Sequence, residues 1–276
     1  MTPLTPTNYY DKNTKALTCS KIKDYTVCPY YFSRKHIYND IEEEQSDAFM
    51  IGGLVDKLLS GEDFGKKYEV VARRSASAKA DALERGVTLM LQSQLDEIIE
   101  VADAVDQTDA WKTIKENGIF QAILQVPMAI GEYFDSLAGR PDVYWIKDGI
   151  CYLIDLKTAA SADHRKFYYQ ALSFKYHWQL ANYKMLLKTL HPEIKSFRCF
   201  NLVVAKKKNI YDVELEEIPE NIINRAERDV LDTIDKIAND KEFKKYNPSF
   251  DNPHVFGSFD NDSEFGDWED RIDNVE

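Results

Sequence analysis

Asp142 and Asp155 stand thirteen positions apart, and Lys157 lies two residues beyond the second. Two carboxylates and an ammonium group brought together are the parts needed to hold a divalent cation and orient a water against a phosphodiester. Between the aspartates the chain reads Val143-Tyr144-Trp145-Ile146, then Lys147-Asp148-Gly149, then Ile150-Cys151-Tyr152-Leu153-Ile154. Two apolar and aromatic runs joined by an Asp-Gly turn predict a hairpin, which folds Asp142 back toward Asp155. Side chains on a strand alternate, so Asp155 and Lys157 share one face while Leu156 enters the opposite layer. Charges on strands built of Ile, Leu, Val and Tyr are costly unless they are paired or hold a cation. A structural ion pair between Lys157 and either aspartate would satisfy the same charges, so these three residues alone leave both readings open.

Helices on either side must position this hairpin. The spacing predicts a helix over 167–190, in which Gln179 and Tyr183, four apart, share a face. Leu172, Tyr176, Leu180, Leu187 and Leu190 mark an adjacent apolar stripe that would pack on the sheet and leave Gln179 and Tyr183 at the rim of the site. Tyr183 as core and Gln179 as a packing contact is the alternative. A second helix is predicted from Asp47 to Ser60, with Ile51, Leu54, Val55, Leu58 and Leu59 at helical spacing. Its other side carries Gly52, Gly53 and Asp56, and two helical glycines, costing about 1 kcal/mol each, point to a close approach by another group. Near the amino end Ser20 is expected as an N-cap and Pro29 as a first helical residue. Tyr30, Tyr31 and Phe32, running into Arg34-Lys35-His36, read either as base-stacking and phosphate contacts or as an aromatic core with a solvated basic edge.

Three segments together carry a resemblance: Gly139-Arg140-Pro141-Asp142, Ile154-Asp155-Leu156-Lys157-Thr158, and Gln179 with Tyr183 in Tyr176-His177-Trp178-Gln179-Leu180-Ala181-Asn182-Tyr183. The pattern resembles the PD-(D/E)XK nuclease superfamily, in particular RecB-like and RecE-like exonucleases of the exodeoxyribonuclease VIII and phage recombination type. The Ser20 to Tyr25 and Cys28-Pro29 segment is similar to the opening segment of RecB-like members. The resemblance implies a restriction-endonuclease-like α/β fold, with a central mixed sheet flanked by helices. It implies that Asp142 and Asp155 bind Mg2+ or Mn2+, that Lys157 helps activate the attacking water, that Gln179 and Tyr183 lie beside the active site, and that the Leu156 carbonyl is a further ligand. Where that family has a metal-site histidine in Gly-x-x-His, this chain has Gly53-Leu54-Val55-Asp56, so Asp56 reads either as an oxygen ligand or as a surface helix residue. Hard oxygen ligands suit Mg2+ or Mn2+ and suit zinc poorly.

The implied activity is a metal-dependent DNA exonuclease that processes double-stranded ends for recombination or repair, beside a phage-type single-strand-annealing protein and in a homo-oligomeric ring. The alternatives within the same fold are a structure-specific or Cas4-like endonuclease and end processor, or a noncatalytic nucleic-acid-binding recombination module. Some relatives carry a four-cysteine iron-sulfur cluster. Here Cys19, Cys28, Cys151 and Cys199 are scattered, so no iron-sulfur cluster is expected. Scattered thiols without a signal peptide or membrane-length apolar run predict no membrane association and the cytoplasm of a bacterial or phage-infected cell.

The 276 residues, 44% hydrophobic, can bury one ample core, and a single domain over 1–250 is expected, helical in its amino-terminal part. Helices are predicted within 20–60, from Ala76 to Glu116 and over 219–240, with strands near 119–128, 132–146, 150–157, 196–206 and 210–216. The polar segment Thr158 to Lys166 is expected as a loop. Net charge is −12, unusual for a partner of a polyanion, but residues 251–276 contribute −8 and leave −4 for the rest. That acidic tail, with interspersed Phe, Trp and Ile, reads as a flexible solubilising end, as a partner-docking segment or as a competitor for a basic channel, which Lys206-Lys207-Lys208 would help to form.

Overall fold

A computed structural model describes residues 2–41, 46–62, 67–159, 163–207 and 210–244. The chain opens with β1 (Ala16–Thr18), α1 (Cys19–Val27), α2 (Pro29–His36) and α3 (Asp47–Ser60). There follow β2 (Tyr68–Val71), α4 (Ala76–Glu84), β3 (Thr88–Leu91), α5 (Gln92–Asp106) and α6 (Asp109–Asn117). Next come β4 (Ile119–Phe120), β5 (Leu124–Ile130), β6 (Phe134–Gly139), β7 (Val143–Lys147) and β8 (Ile150–Ala159). The last elements are α7 (His164–Ser173), α8 (Tyr176–Leu190), β9 (Ser196–Lys207), β10 (Ile210–Ile218) and α9 (Glu220–Asn239). Residues Met1–Phe243 form one compact unit, and the acidic tail 251–276 lies outside the described residues, as does Lys208.

The architecture is the expected α/β arrangement with a mixed central sheet. Five strands run in the order β10-β9-β8-β7-β4, with β8 and β9 parallel and the other pairs antiparallel. A three-stranded sheet, β1-β6-β5, adjoins it, and β2 and β3 form a separate parallel pair. Alternation along β8 divides two cores. Cys151 and Leu153 pack with Leu180 and Leu186 of α8 and Val230 of α9, while Ile154 and Leu156 face Leu54 of α3, Ile98 of α5 and Trp111 of α6. The β7–β8 turn forms through left-handed Asp148 (φ 54°) and Gly149 (φ 79°), and Trp145 stacks on Tyr152 across it with centroids 4.7 Å apart.

Helix α3 keeps the predicted bounds, with the Ser46 hydroxyl accepting from Phe49 N–H and left-handed Gly61 at its end. Other boundaries differ from expectation. The region 76–116 is broken because Gly86, at φ 65°, stops α4 and frees Thr88–Leu91 to pair with β2. The long helix over 167–190 is two helices, interrupted where Lys175 adopts φ 51°. Ser20 lies inside α1, whose N-cap position falls to Thr18 without a side-chain cap. The segment 158–166 is not a loop throughout: β8 runs on to Ala159, and Asp163 caps α7 by accepting from Arg165 and Lys166 N–H.

Candidate active site

Two facing interruptions of the strand ladder build the centre. Phe120 pairs with Val143 and Leu124 with Gly139, which leaves Gln121-Ala122-Ile123 opposite Arg140-Pro141-Asp142. Pro141 has no N–H to give a ladder, and Gln121 sits at φ 51°, a conformation that costs a non-glycine residue on the order of 1 kcal/mol or more. Backbone and side-chain bonds tie the break together. Gln121 N–H donates to Asp142 O (3.0 Å), and Arg140 Nε donates to Gln121 O (3.2 Å). Arg140 also ion-pairs with Glu62 beyond the end of α3 and donates to the Tyr10 hydroxyl at 3.3 Å.

The side chains of Gln121 and Asp142 therefore enter one space, which α3 closes with Asp56. Gln121 Nε2 donates to Asp56 Oδ2 (2.5 Å) and lies 3.3 Å from Asp142 Oδ1. Leu156 N–H donates to Asp142 Oδ2 at 2.7 Å, so Leu156 meets the cluster through its amide, while its side chain packs in the α3 layer. Asp155 is fully buried and ion-paired to Lys157, as the shared face of β8 predicts, and its Oδ1 meets no hydrogen-bond donor. Lys157 Nζ lies 3.5 Å from Gln179 Oε1, and Gln179 Nε2 donates to the Tyr183 hydroxyl at 2.8 Å. Two contact sets result, Asp56 and Asp142 bridged by Gln121, and Asp155, Lys157, Gln179 and Tyr183 in a row, and they adjoin where Leu156 N–H, between Asp155 and Lys157, meets Asp142.

The two glycines of α3 serve different ends. A Cβ on Gly52 would lie 3.2 Å from Thr158 Oγ1, so Gly52 lets α3 approach β8, whereas Gly53 faces open space. Gly139 is tighter: its Cβ would fall 2.7 Å from the Tyr183 ring and 2.9 Å from Leu186. Tyr183 is itself core, 5% exposed, and its hydroxyl supports Gln179 from below. It is thus a core residue that accepts from Gln179 rather than a rim residue.

Charge in this pocket is out of balance. Burial pushes the Asp56 carboxyl up to about 6, with Asp155 adding to the rise and Arg140 opposing it. Burial likewise raises Asp142 well above the usual carboxylate range, followed by repulsion from Asp56 and Asp155, although Leu156 N–H works the other way. Burial alone would depress Lys157, but the Asp155 and Asp142 charges outweigh it and hold its pKa up. Crowded carboxylates in a dry site raise one another in this way unless a cation joins them.

Among the described residues no three Asp, Glu, His or Cys side chains already converge as a metal-binding group. The Gln121 amide lies against two of the carboxylates and Lys157 against the third. The donor chemistry nonetheless fits a hard divalent ion: Asp56, Asp142 and Asp155 offer oxygen alone, and Asp155 Oδ1 is buried without a partner.

Gln121 and Glu62 were not visible as site residues in the sequence. Gln121 carries no motif, and only the kink brings it to Asp56, 65 positions away. The Arg34-Lys35-His36 edge, by contrast, is committed within the fold. Arg34 pairs with Asp40, Lys35 and His36 pair with Asp24, and Phe32 is wholly buried.

A family model described as "PDDEXK-like domain of unknown function (DUF3799)" matches residues 18–247. Among solved structures, that of a Eubacterium rectale protein described as a putative exonuclease superposes with a TM-score of 0.63 at 19% identity, covering 87% of this chain and 88% of that one. A second, SSO0001, reaches a TM-score of 0.27 at 14% identity over 68% of this chain and 86% of the other, too low to bear on the fold. No curated protein matches.

Proposed function

The chain belongs to the PDDEXK-like DUF3799 family, a nuclease-type fold, and from that premise we propose that it is a Mg2+- or Mn2+-dependent DNA exonuclease. Its task in this reading is to process double-stranded ends for recombination or repair, alongside a single-strand-annealing protein. The observation that carries the reading is the buried Asp155–Lys157 pair on one face of β8, set beside Asp142 and Asp56. A stability role does not explain three mutually repelling carboxylates gathered round one lysine, since buried charge is costly and an apolar core would serve better.

Asp56, Asp142 and Asp155 would hold the ion, with the Leu156 carbonyl as a further ligand. What a divalent ion supplies when bound is positive charge against the phosphate and a more acidic water. The remaining work falls to the chain itself. Leu156 N–H fixes Asp142, and Arg140 fixes the backbone of the kink. Gln179, held by Tyr183, steadies the Lys157 ammonium, which orients the water or a phosphate oxygen in line.

Linear and covalently closed circular duplex DNA incubated with the purified protein, with and without Mg2+, test this reading. Loss of the linear substrate alone, and only with metal, is expected. Cleavage of the circle would replace it with an endonuclease, and binding to DNA without cleavage of either would leave a noncatalytic module.

A further inference from the structure

Cationic and aromatic groups extend outward from the catalytic lysine. Lys157 Nζ lies 4.6 Å from the centroid of the Tyr176 ring, and Lys23 Nζ, from α1, lies 5.8 Å from the same centroid. Lys157 is neutralised by Asp155. Lys23 is different: it is half-buried, and among the described residues its ammonium has neither an ion-pair partner nor a hydrogen-bond acceptor. Burial is the main cause that lowers its pKa; Cys19 and Asp155 oppose the fall, while the Lys157 and Lys175 charges add to it. In a chain of net charge −12, a half-buried lysine held among other lysines with no carboxylate of its own is unusual. An anion placed against this ammonium would offset the cost of that arrangement.

The same ring begins an aromatic stack that reaches the surface. Phe174 lies on Tyr176 with centroids 5.8 Å apart and planes at 26°, and it is 56% exposed. Lys175, between them, is the left-handed residue that separates α7 from α8, so backbone strain is tolerated where the two rings come together. Exposed aromatic faces beside cations are how proteins hold nucleobases and phosphates of an unpaired strand.

We propose that Lys23 and Phe174 form the subsite for the nucleotide adjoining the cleaved linkage, Lys23 taking its phosphate and the Phe174–Tyr176 stack its base. This rests on the phosphodiesterase reading and adds to it a site for the neighbouring nucleotide, distinct from the carboxylates. Lys23 reaches the site from α1 and Phe174 from the α7–α8 junction, so the strand is gripped by two elements that do not carry the acidic groups.

The test is equilibrium binding of a labelled single-stranded oligonucleotide to the full chain across a salt series, in EDTA and again in Ca2+, without hydrolysis. Lys23→Ala is expected to weaken binding about tenfold at low salt and to flatten the log–log salt slope by about 0.7, the value of one phosphate contact on a single strand. Lys23→Arg should restore both. Phe174→Ala should weaken binding about tenfold with the slope unchanged and abolish quenching of a 2-aminopurine base, while Phe174→Tyr should retain the quenching. An unchanged slope and affinity in Lys23→Ala, or full quenching in Phe174→Ala, overturns the proposal, as does the absence of binding by the wild-type chain in both buffers. Since no cleavage is read, intact binding effects in a protein that fails to hydrolyse DNA would count against the nuclease reading and not against the subsite.

Discussion

Replacing Gly139 by alanine places a methyl group where the fold has no room. The new Cβ would lie 2.7 Å from Tyr183 Cδ1 and 2.9 Å from both Tyr183 Cε1 and Leu186 Cδ1. Ordinary contacts need several tenths of an ångström more, and neither neighbour can move without disturbing the core around it, since Tyr183 is 5% exposed and Leu186 fully buried. Either α8 shifts away from β6 or the tyrosine ring rotates, and overpacking of this kind costs about 1–3 kcal/mol. For a unit of this size, about 2 kcal/mol lowers Tm by roughly 4–8 °C. The same shift moves the hydroxyl that holds Gln179, and through it Lys157, so hydrolysis should fall by more than the unfolded fraction explains. Urea and thermal denaturation followed by circular dichroism give the first number, and initial rates at a temperature where both proteins are folded give the second. The companion variant Tyr183→Leu removes the two ring contacts and leaves only that with Leu186, so Gly139→Ala made in that background should cost less than in the wild type. A Gly139→Ala protein with unchanged Tm would refute the packing account of this glycine.

Other perturbations separate the roles of neighbouring groups. Asp56→Ala removes one carboxylate from the crowded cluster and should raise the Mg2+ concentration needed for half-maximal cleavage, read by a metal titration; unaltered metal dependence would reduce Asp56 to a helix residue. Lys21 gives a pH effect: its ammonium donates to Thr14 O (3.1 Å) and Ala16 O (2.8 Å), yet burial brings its pKa down to about 8 from 10.5. Below pH 8 folded and unfolded chains both carry the proton and the burial cost is present in full; between 8 and 10.5 the unfolded chain binds more protons, so this group's contribution to stability rises with pH. The stability of Lys21→Met relative to wild type should therefore be greater at pH 7 than at pH 10, by on the order of 1–3 kcal/mol in urea unfolding. An equal difference at both pH values would contradict the assigned burial effect.

What the sequence made legible was local and periodic. Asp148-Gly149 specified the hairpin turn, the alternation of β8 placed Asp155 beside Lys157, and the apolar spacing of Ile51, Leu54, Val55, Leu58 and Leu59 marked α3. The break at Lys175 had no such marker: it is a lysine in a conformation that usually selects glycine, and its neighbours Phe174 and Tyr176 stack across it. Gln121 was equally silent, because its position depends on a ladder interruption shared with Arg140-Pro141-Asp142 on another strand. Motif spacing showed Asp142, but the donor that fixes it, Leu156 N–H, became visible only with the register. The basic run at Arg34-Lys35-His36 left two readings open, because its pairing with Asp24 and Asp40 depends on how α1, α2 and the following turn fold together.

The most direct measurement compares Mg2+-dependent degradation of linear duplex DNA by the wild-type chain with that by Asp155→Asn and Lys157→Ala, each first confirmed as folded by circular dichroism. Wild-type degradation that EDTA abolishes and that neither variant supports is the predicted result. Degradation at the wild-type rate by either folded variant would contradict the claim that this carboxylate and ammonium form the reacting centre.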